Sequence, residues 1–429
     1  MRDLVLAPTI LWLCVSAIRH PWIGIMGWTW ISLMSPHALT WHLNSLPVAA
    51  AIAGSTLLGT LLTKDRRDFS ITPETSLLMG FMLWICVTLP FSLHFDDSLM
   101  MWNRVMKIDF MVLVSLVLLY SKRHLLVFAW VVVGSIGFYG IKGGIFTLLT
   151  GGAYRVWGPA NTFIEGNNEL ALALIIITPL FRFLQLQTTS KWVRRGITAA
   201  IILCVAAALG SHSRGALLAL AAMAAALWWY GGRQLGILVG ILLVSGGALL
   251  FLPEHWFSRM NTISDYQSDA SAMGRINAWW MAWNLASDRI FGGGFSIYDL
   301  DVFNRYAPDP TDVHAAHSIY FQVLGEHGFV GLFLFLLLWS LVWWNAGKLR
   351  KEAKKVSETK WLSDLGAMCQ VSLVGYAVGG AFLSLAYFDL PYNILILIVL
   401  ARRWIKRKAW LEEEELDAVR LKEAKVLAI

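Results

Sequence analysis

Apolar runs long enough to cross a bilayer recur along this chain, and that repetition decides most of what it can fold into. The runs lie near 3–18, 21–35, 45–63, 74–93, 105–120, 122–138, 168–187, 192–209, 211–230, 232–252, 328–346, 363–384 and 389–403. A spanning helix needs about 17 to 25 such residues. Without water to satisfy bare backbone, helices and closed barrels are the spanning forms. The alternating pattern of a membrane barrel is absent. The first two runs are short and can form one broken element. We therefore expect an all-α polytopic membrane protein with about 12 transmembrane helices. Composition agrees: 57% of the 429 residues are hydrophobic and 15% charged, where a soluble domain carries about 25% charged residues.

Basic residues set the orientation. Lys348, Arg350, Lys351, Lys354, Lys355 and Lys360 cluster after one run, and Arg402, Arg403, Lys406, Arg407 and Lys408 after another. Smaller basic turns stand at Lys64–Arg67, Lys122–Arg123 and Lys191–Arg195. Alternating spans put all of these on one side, which the positive-inside rule makes cytoplasmic. The net charge of +7 therefore records topology, and no nucleic-acid partner is expected. The outer side receives 94–104, 139–167 and the long segment 253–327. The chain divides into an N-terminal transmembrane bundle (1–252), an outer loop or lid (253–327), C-terminal transmembrane helices (328–403) and a charged cytoplasmic tail (404–429). The start reads as a membrane helix, because apolar sequence continues past His20-Pro21. Cys14, Cys86, Cys204 and Cys369 form no C-x-x-C and read as small buried hydrophobes.

The outer loop is too long to be a plain connection. Ile276–Ala286 has the spacing of an amphipathic helix, with Trp279, Trp280 and Trp283 as core residues or interfacial anchors. Gly292-Gly293-Gly294 and the turn at Pro308–Pro310 follow.

Four cations fall on the outer side. Arg214, in Gly210-Ser211-His212-Ser213-Arg214-Gly215, separates two apolar runs. It either snorkels to the surface or clamps an anion, for which a guanidinium fork suits phosphate. Lys142 is flanked by Gly143 and Gly144, which would let backbone approach a ligand. Arg155 lies in Tyr154–Pro159, and Arg275 opens the lid helix. Together they suit a diphosphate. His314 and His317 are three apart, so a helix would put both on one face. A metal site lacks further ligands, so no metal and no cofactor is expected. His317 is either a hydrogen-bonded structural residue or a group that accepts a proton from, or polarises, a sugar hydroxyl. Glu169 can pair with a clamp arginine or cap its helix. Asp389 can orient a histidine, bind acceptor or cap a helix. Lys107 lies near the outer end of its span and can snorkel.

Ser213-Arg214-Gly215 at a span start, the long loop with Arg275 and Gly292–Phe295, and Ala316-His317-Ser318 followed by Leu324–Gly331 together resemble the O-antigen ligase family, within the wider ligase and Wzy-type polymerase superfamily. The family has His-Asn where this chain has His317-Ser318. Arg2-Asp3, Met34–His37 and Gly166–Glu169 resemble the subgroup of exosortase-associated O-glycosylation ligases. The resemblance implies a GT-C-like membrane glycosyltransferase of the bacterial inner membrane with its active site facing the periplasm. It implies transfer of a glycan from undecaprenyl diphosphate to lipid A–core oligosaccharide, with inversion and without a required metal. It assigns diphosphate binding to Arg214 and Arg275 and an essential role to His317. An O-antigen polymerase or a protein O-glycosylation ligase would use the same donor. A transporter of lipid-linked oligosaccharide is the alternative of another class, disfavoured by the lack of an internal repeat.

Overall fold

A computed structural model describes residues 2–65, 67, 68, 70–230, 246, 270–413 and 415. The predicted span at 232–252, the loop from 253 to 269 and the tail beyond 415 lie outside the described residues. The described residues fold into helices and turns, with no strand among them.

The order is α1 (Arg2–Arg19), α2 (Pro21–Met34), α3 (Val48–Leu62), α4 (Pro73–Thr88), α5 (Phe95–Leu118), α6 (Lys122–Leu149), α7 (Asn167–Gln187), α8 (Lys191–Gly210), α9 (Arg214–Tyr230), α10 (Ala270–Asp288), α11 (Leu300–Tyr306), α12 (Ile319–Glu352), α13 (Lys360–Gly380) and α14 (Asp389–Lys406). Local signals set many ends. Thr72 caps α4, Ser121 caps α6 and Asp299 caps α11, each accepting a backbone N–H through its side chain, as N-cap oxygens do. Among the described residues, five helices are long and apolar enough to cross a membrane: Pro73–Phe91, Lys122–Leu149, Asn167–Gln187, Lys191–Gly210 and Ile319–Glu352. Val48–Leu62 and Arg214–Trp229 are shorter apolar helices. Buried apolar side chains of α7, α13 and α14 form the centre of the core. Large apolar side chains at the periphery, such as Leu4, Trp12, Leu61, Leu83 and Phe333, stay exposed. This is the inside-out polarity expected of a bundle in lipid.

One end of the bundle gathers the basic turns. Buried Arg403 donates to the Leu116 carbonyl at 2.5 Å and to the Ser70 carbonyl, and Arg407 pairs with Asp68 at 2.6 Å. Lys122 lies over the Trp361 ring at 5.2 Å. At the other end lie the turn between α8 and α9, the loop 150–166, α10 and the start of α12.

Three expectations need correction. Lys142 is not in a loop, because α6 runs on to Leu149. Its glycines serve packing: a Cβ at Gly140 would lie 2.3 Å from Cys204 Sγ, and one at Gly144 2.2 Å from the Leu203 carbonyl. Small residues there bring α6 and α8 together, the usual way helices approach closely in membranes. Second, α5 begins at Phe95 and absorbs most of 94–104, with Asp96 and Asp97 in its first turn, where the helix dipole favours acids. Third, His314 and His317 share no helix. Residues 312–317 are irregular, and α12 starts only at Ile319.

The lid helix expected at Ile276–Ala286 is present within α10. The triple glycine after it docks onto α12. Gly293 N donates to the Gly325 carbonyl and Gly294 N to the Glu326 carbonyl, both at 2.9 Å. Gly328 breaks α12 with φ 68°, ψ −172°, a region open essentially to glycine alone. We predict that Gly328→Ala lowers stability by about 1–3 kcal/mol. Gly151→Ala, at φ +59° with open space around it, should cost less. Thermal unfolding of the detergent-solubilised variants checks the order.

Candidate functional site

The site grows from two helix starts. Ser213 stands before α9 and its Oγ accepts the Ala216 N–H at 3.2 Å, so Arg214 becomes the first helical residue. The tight turn before it is held from two sides. Asn167 Nδ2 donates to the Ser211 carbonyl at 2.7 Å, and His212 Nε2 lies 3.0 Å from the Gly152 carbonyl. His212 pays for the turn with a left-handed backbone, φ 58°, uncommon for a non-glycine residue. The α7 start supplies Asn167, Asn168 and Glu169 next to this turn.

α10 is the platform for the opposite wall. Asn277 Nδ2 donates to the carbonyls of Asp309 (2.7 Å) and Asp312 (3.0 Å), and its Oδ1 accepts the Asp309 N–H at 2.9 Å. Trp279 Nε1 donates to the Ala316 carbonyl at 2.7 Å and stacks on Phe321, centroids 5.0 Å apart. The missing side chain of Gly274 leaves room for the His314 ring; a Cβ there would lie 2.6 Å from Nδ1. Positions 274, 277 and 279 thus lay residues 309–317 along the same helix that carries Arg275. Trp279 is a structural anchor, while Trp280 and Trp283 are exposed.

Between these walls lies a cavity of about 250 Å³. Arg214 and Arg275 both line it, with Asn168, His212, Ser213, Gly215, Ser271 and Ala272, and Phe382 and Leu383 close one side. Among the described residues, no carboxylate is in that lining. Two guanidinium groups, hydroxyls, a carboxamide and the first turn of α9 present donors to whatever enters. A helix start adds roughly half a positive charge and free N–H groups.

His317 borders this arrangement. Its backbone is left-handed, φ 43°. Burial pushes its imidazole down to about 4, helped by the nearby Arg275 and His314. Its Nδ1 is buried and, among the described residues, has no hydrogen-bond partner. His314 Nδ1 lies 2.8 Å from Asp312 Oδ1. Glu169 folds back on its own helix start, where a Cβ at Gly166 would fall 2.0 Å from Oε2; Arg275 is within its electrostatic range.

The structure therefore brings Arg214 and Arg275 together in one cavity and sets His317, His314 and Glu169 around Arg275. It does not bring the other three candidates into the lining. Lys142 is exposed on α6, and Arg155 is exposed in the loop after it. Asp389 is buried and accepts a hydrogen bond from Ser32. Sequence reasoning missed Asn168, Ser271, Phe382 and Leu383. Asn168 carried a visible signal, as the second of two polar residues opening a long apolar run. Glu326 and His327 are not at the cavity. Glu326 accepts from Tyr387 Oη at 2.5 Å, and His327 Nδ1 lies 2.9 Å from Thr88 Oγ1.

These features define a multi-pass membrane protein with a cationic cavity at one end. Residues 199–336 match the model of the O-antigen ligase family, and residues 1–189 match a family of unknown function, DUF5935. The match over residues 199–336 supports an O-antigen ligase family assignment for that segment, and with it lipid-linked glycan and acceptor substrates in a membrane. Its function is of the ligase or polymerase type. No curated protein matches the chain. Arg214, Arg275 and His317 all fall in the ligase segment; Lys142, Arg155 and Glu169 fall in the other.

The low basicity of His317 gives a signed prediction. Between about pH 4 and the ordinary histidine value near 6.5, the unfolded chain holds more protons than the folded one. This residue's contribution therefore makes stability rise with pH across that window and fall on acidification through it. Ring resonances of histidine-labelled protein, assigned through His317→Gln, should show the His317 imidazole still neutral at pH 5.5.

Proposed function

We propose that this protein is a glycan ligase of the bacterial inner membrane, with about twelve spans and its cavity facing the periplasm. It moves a glycan from undecaprenyl diphosphate to lipid A–core oligosaccharide. One observation carries the reading: Arg214 and Arg275 line a single cavity, and His317 stands beside Arg275.

The diphosphate headgroup sits against the two guanidinium groups and the start of α9. The acceptor hydroxyl attacks the anomeric carbon from the face opposite the leaving oxygen, so the centre inverts. The bond from that carbon to the diphosphate breaks, and its electron pair leaves with the carrier. Fixed cations at the leaving oxygen stabilise charge that grows in the transition state. The proton of the attacking hydroxyl passes to His317. Burial and then Arg275 depress the basicity of this ring. A bound diphosphate offsets that repulsion, so the base strengthens as the donor arrives. Glu169 holds Arg275 by charge. No metal or cofactor takes part.

The test incubates protein in vesicles with carrier-linked glycan and three acceptors: lipid A–core, a peptide, and a second carrier-linked repeat. We expect transfer to lipid A–core, undiminished in excess chelator. His317→Ala should abolish transfer while pyrophosphate affinity changes little. Arg214→Ala and Arg275→Ala should each weaken pyrophosphate binding about 10- to 100-fold, the worth of a charged hydrogen bond. Wild-type turnover in His317→Ala removes the base from the mechanism. Unchanged affinity in both arginine variants removes the clamp. Transfer only to peptide or to the second repeat makes the protein a protein ligase or a polymerase.

A further inference from the structure

Helices α2, α5 and α14 meet around two carboxylates for which the transfer reaction has no use. Asp109 lies in the middle of α5 and is 1% exposed; Asp389 opens α14 and is 7% exposed. Ser32 of α2 donates to Asp389 Oδ2. Among the described residues, Asp389 Oδ1 and Asp109 Oδ2 are buried with no hydrogen-bond partner. Asp389 also lines a small cavity of about 10 Å³, with Thr29, Ser32, Ser115 and Asn393. An ionisable group at such depth marks a functional place more often than a structural one.

Charge and donor chemistry narrow what belongs there. Arg104 is within electrostatic range of Asp389, and its guanidinium stacks over the Phe163 ring at 4.0 Å. The start of α14 and the Ser32 hydroxyl both favour negative charge on Asp389. The lining polar side chains offer oxygen: a carboxylate, three hydroxyls and a carboxamide. Hard cations take such donors, whereas transition metals favour imidazole and thiolate. The volume is that of about one water molecule, too little for the water shell that magnesium keeps. A buried carboxylate oxygen without a hydrogen-bond partner among the described residues, in a space of this size with hydroxyl and carboxamide oxygens around it, suits a dehydrated monovalent ion.

We propose that Asp389, with Ser32, Thr29, Ser115 and Asn393 around it, binds one sodium ion between α2, α5 and α14. The ion joins the start of α14 to the last turns of α2, in a cavity that shares no lining residue with the arginine cavity.

Purified full-length protein in detergent is heated in sodium, potassium or choline chloride at equal ionic strength. Sodium should raise the melting temperature saturably, and potassium should match choline. Equilibrium dialysis with radioactive sodium should show a single saturable site. Asp389→Asn should abolish both effects, and Ser32→Ala should raise the half-saturating sodium concentration about tenfold, as for loss of one charged contact. Equal melting in all three salts overturns the proposal. So does a protonated-carboxyl infrared band in sodium buffer that disappears in Asp389→Asn. The wild-type and Ser32→Ala data decide the matter even if Asp389→Asn folds poorly.

Discussion

The contact on which the site depends is a pair of backbone hydrogen bonds between a glycine loop and a broken helix. Gly293 and Gly294 donate to the Gly325 and Glu326 carbonyls, while the Gly293 carbonyl accepts the Leu93 N–H at 2.8 Å. A Cβ at Gly292 would lie 2.7 Å from three backbone atoms of residues 325–328. Only bare backbone reaches backbone this closely. The bonds also answer a demand of the medium: a break in a helix frees polar groups that lipid cannot satisfy. Through this joint α10 is fixed to α12 and to the start of α5. Arg275 therefore stands on a rigid support and not on a loose strap. The motif residues Gly292–Phe295 and Leu324–Gly328 thus hold the site without entering it.

The cavity itself is an electrostatic device made from ends. α9 starts at Arg214 and α7 at Asn167, and the turn before α9 is bonded to both α7 and the loop at Gly152. Left-handed backbone at His212 and His317 lies on either side of it. Such conformations persist where surrounding structure over-determines them. Hydrogen bonds from Asn277 and Trp279 do so for the stretch reaching His317. The result is a concentration of positive potential with a neutral imidazole at its rim, a combination suited to holding an anion while accepting a proton.

Much of this was legible in the sequence. Apolar runs located most of the helices to within a few residues, because a span must be continuous and long. Arg214 and Arg275 could be put on one side by counting spans and basic turns, although 61 residues separate them. Other features were hidden for physical reasons. Glycines at 140, 143 and 144 carry no mark that distinguishes close helix packing from a ligand loop, so Lys142 was assigned to the wrong kind of segment. The three-residue spacing of His314 and His317 suggested a helix, but Asn277 and Trp279 bind that stretch in an irregular form. Asp389 reads as a cap near the outer surface, and only the packing of α2 and α5 shows it closed off. Phe382 and Leu383 reach the arginine cavity by tertiary folding alone, which no local pattern encodes.

The burial of α14 has a consequence for biogenesis. From Leu390 to Ala401 every residue is buried, yet α14 is translated after the helices that surround it. Until it arrives, its neighbours must stand around a gap lined by Asp109 of α5 and Ser32 of α2. Helices made earlier therefore cannot close on one another, and the bundle is completed by insertion of its own centre. Synthesis halted before residue 389 would leave a membrane intermediate without the helix that fills its centre.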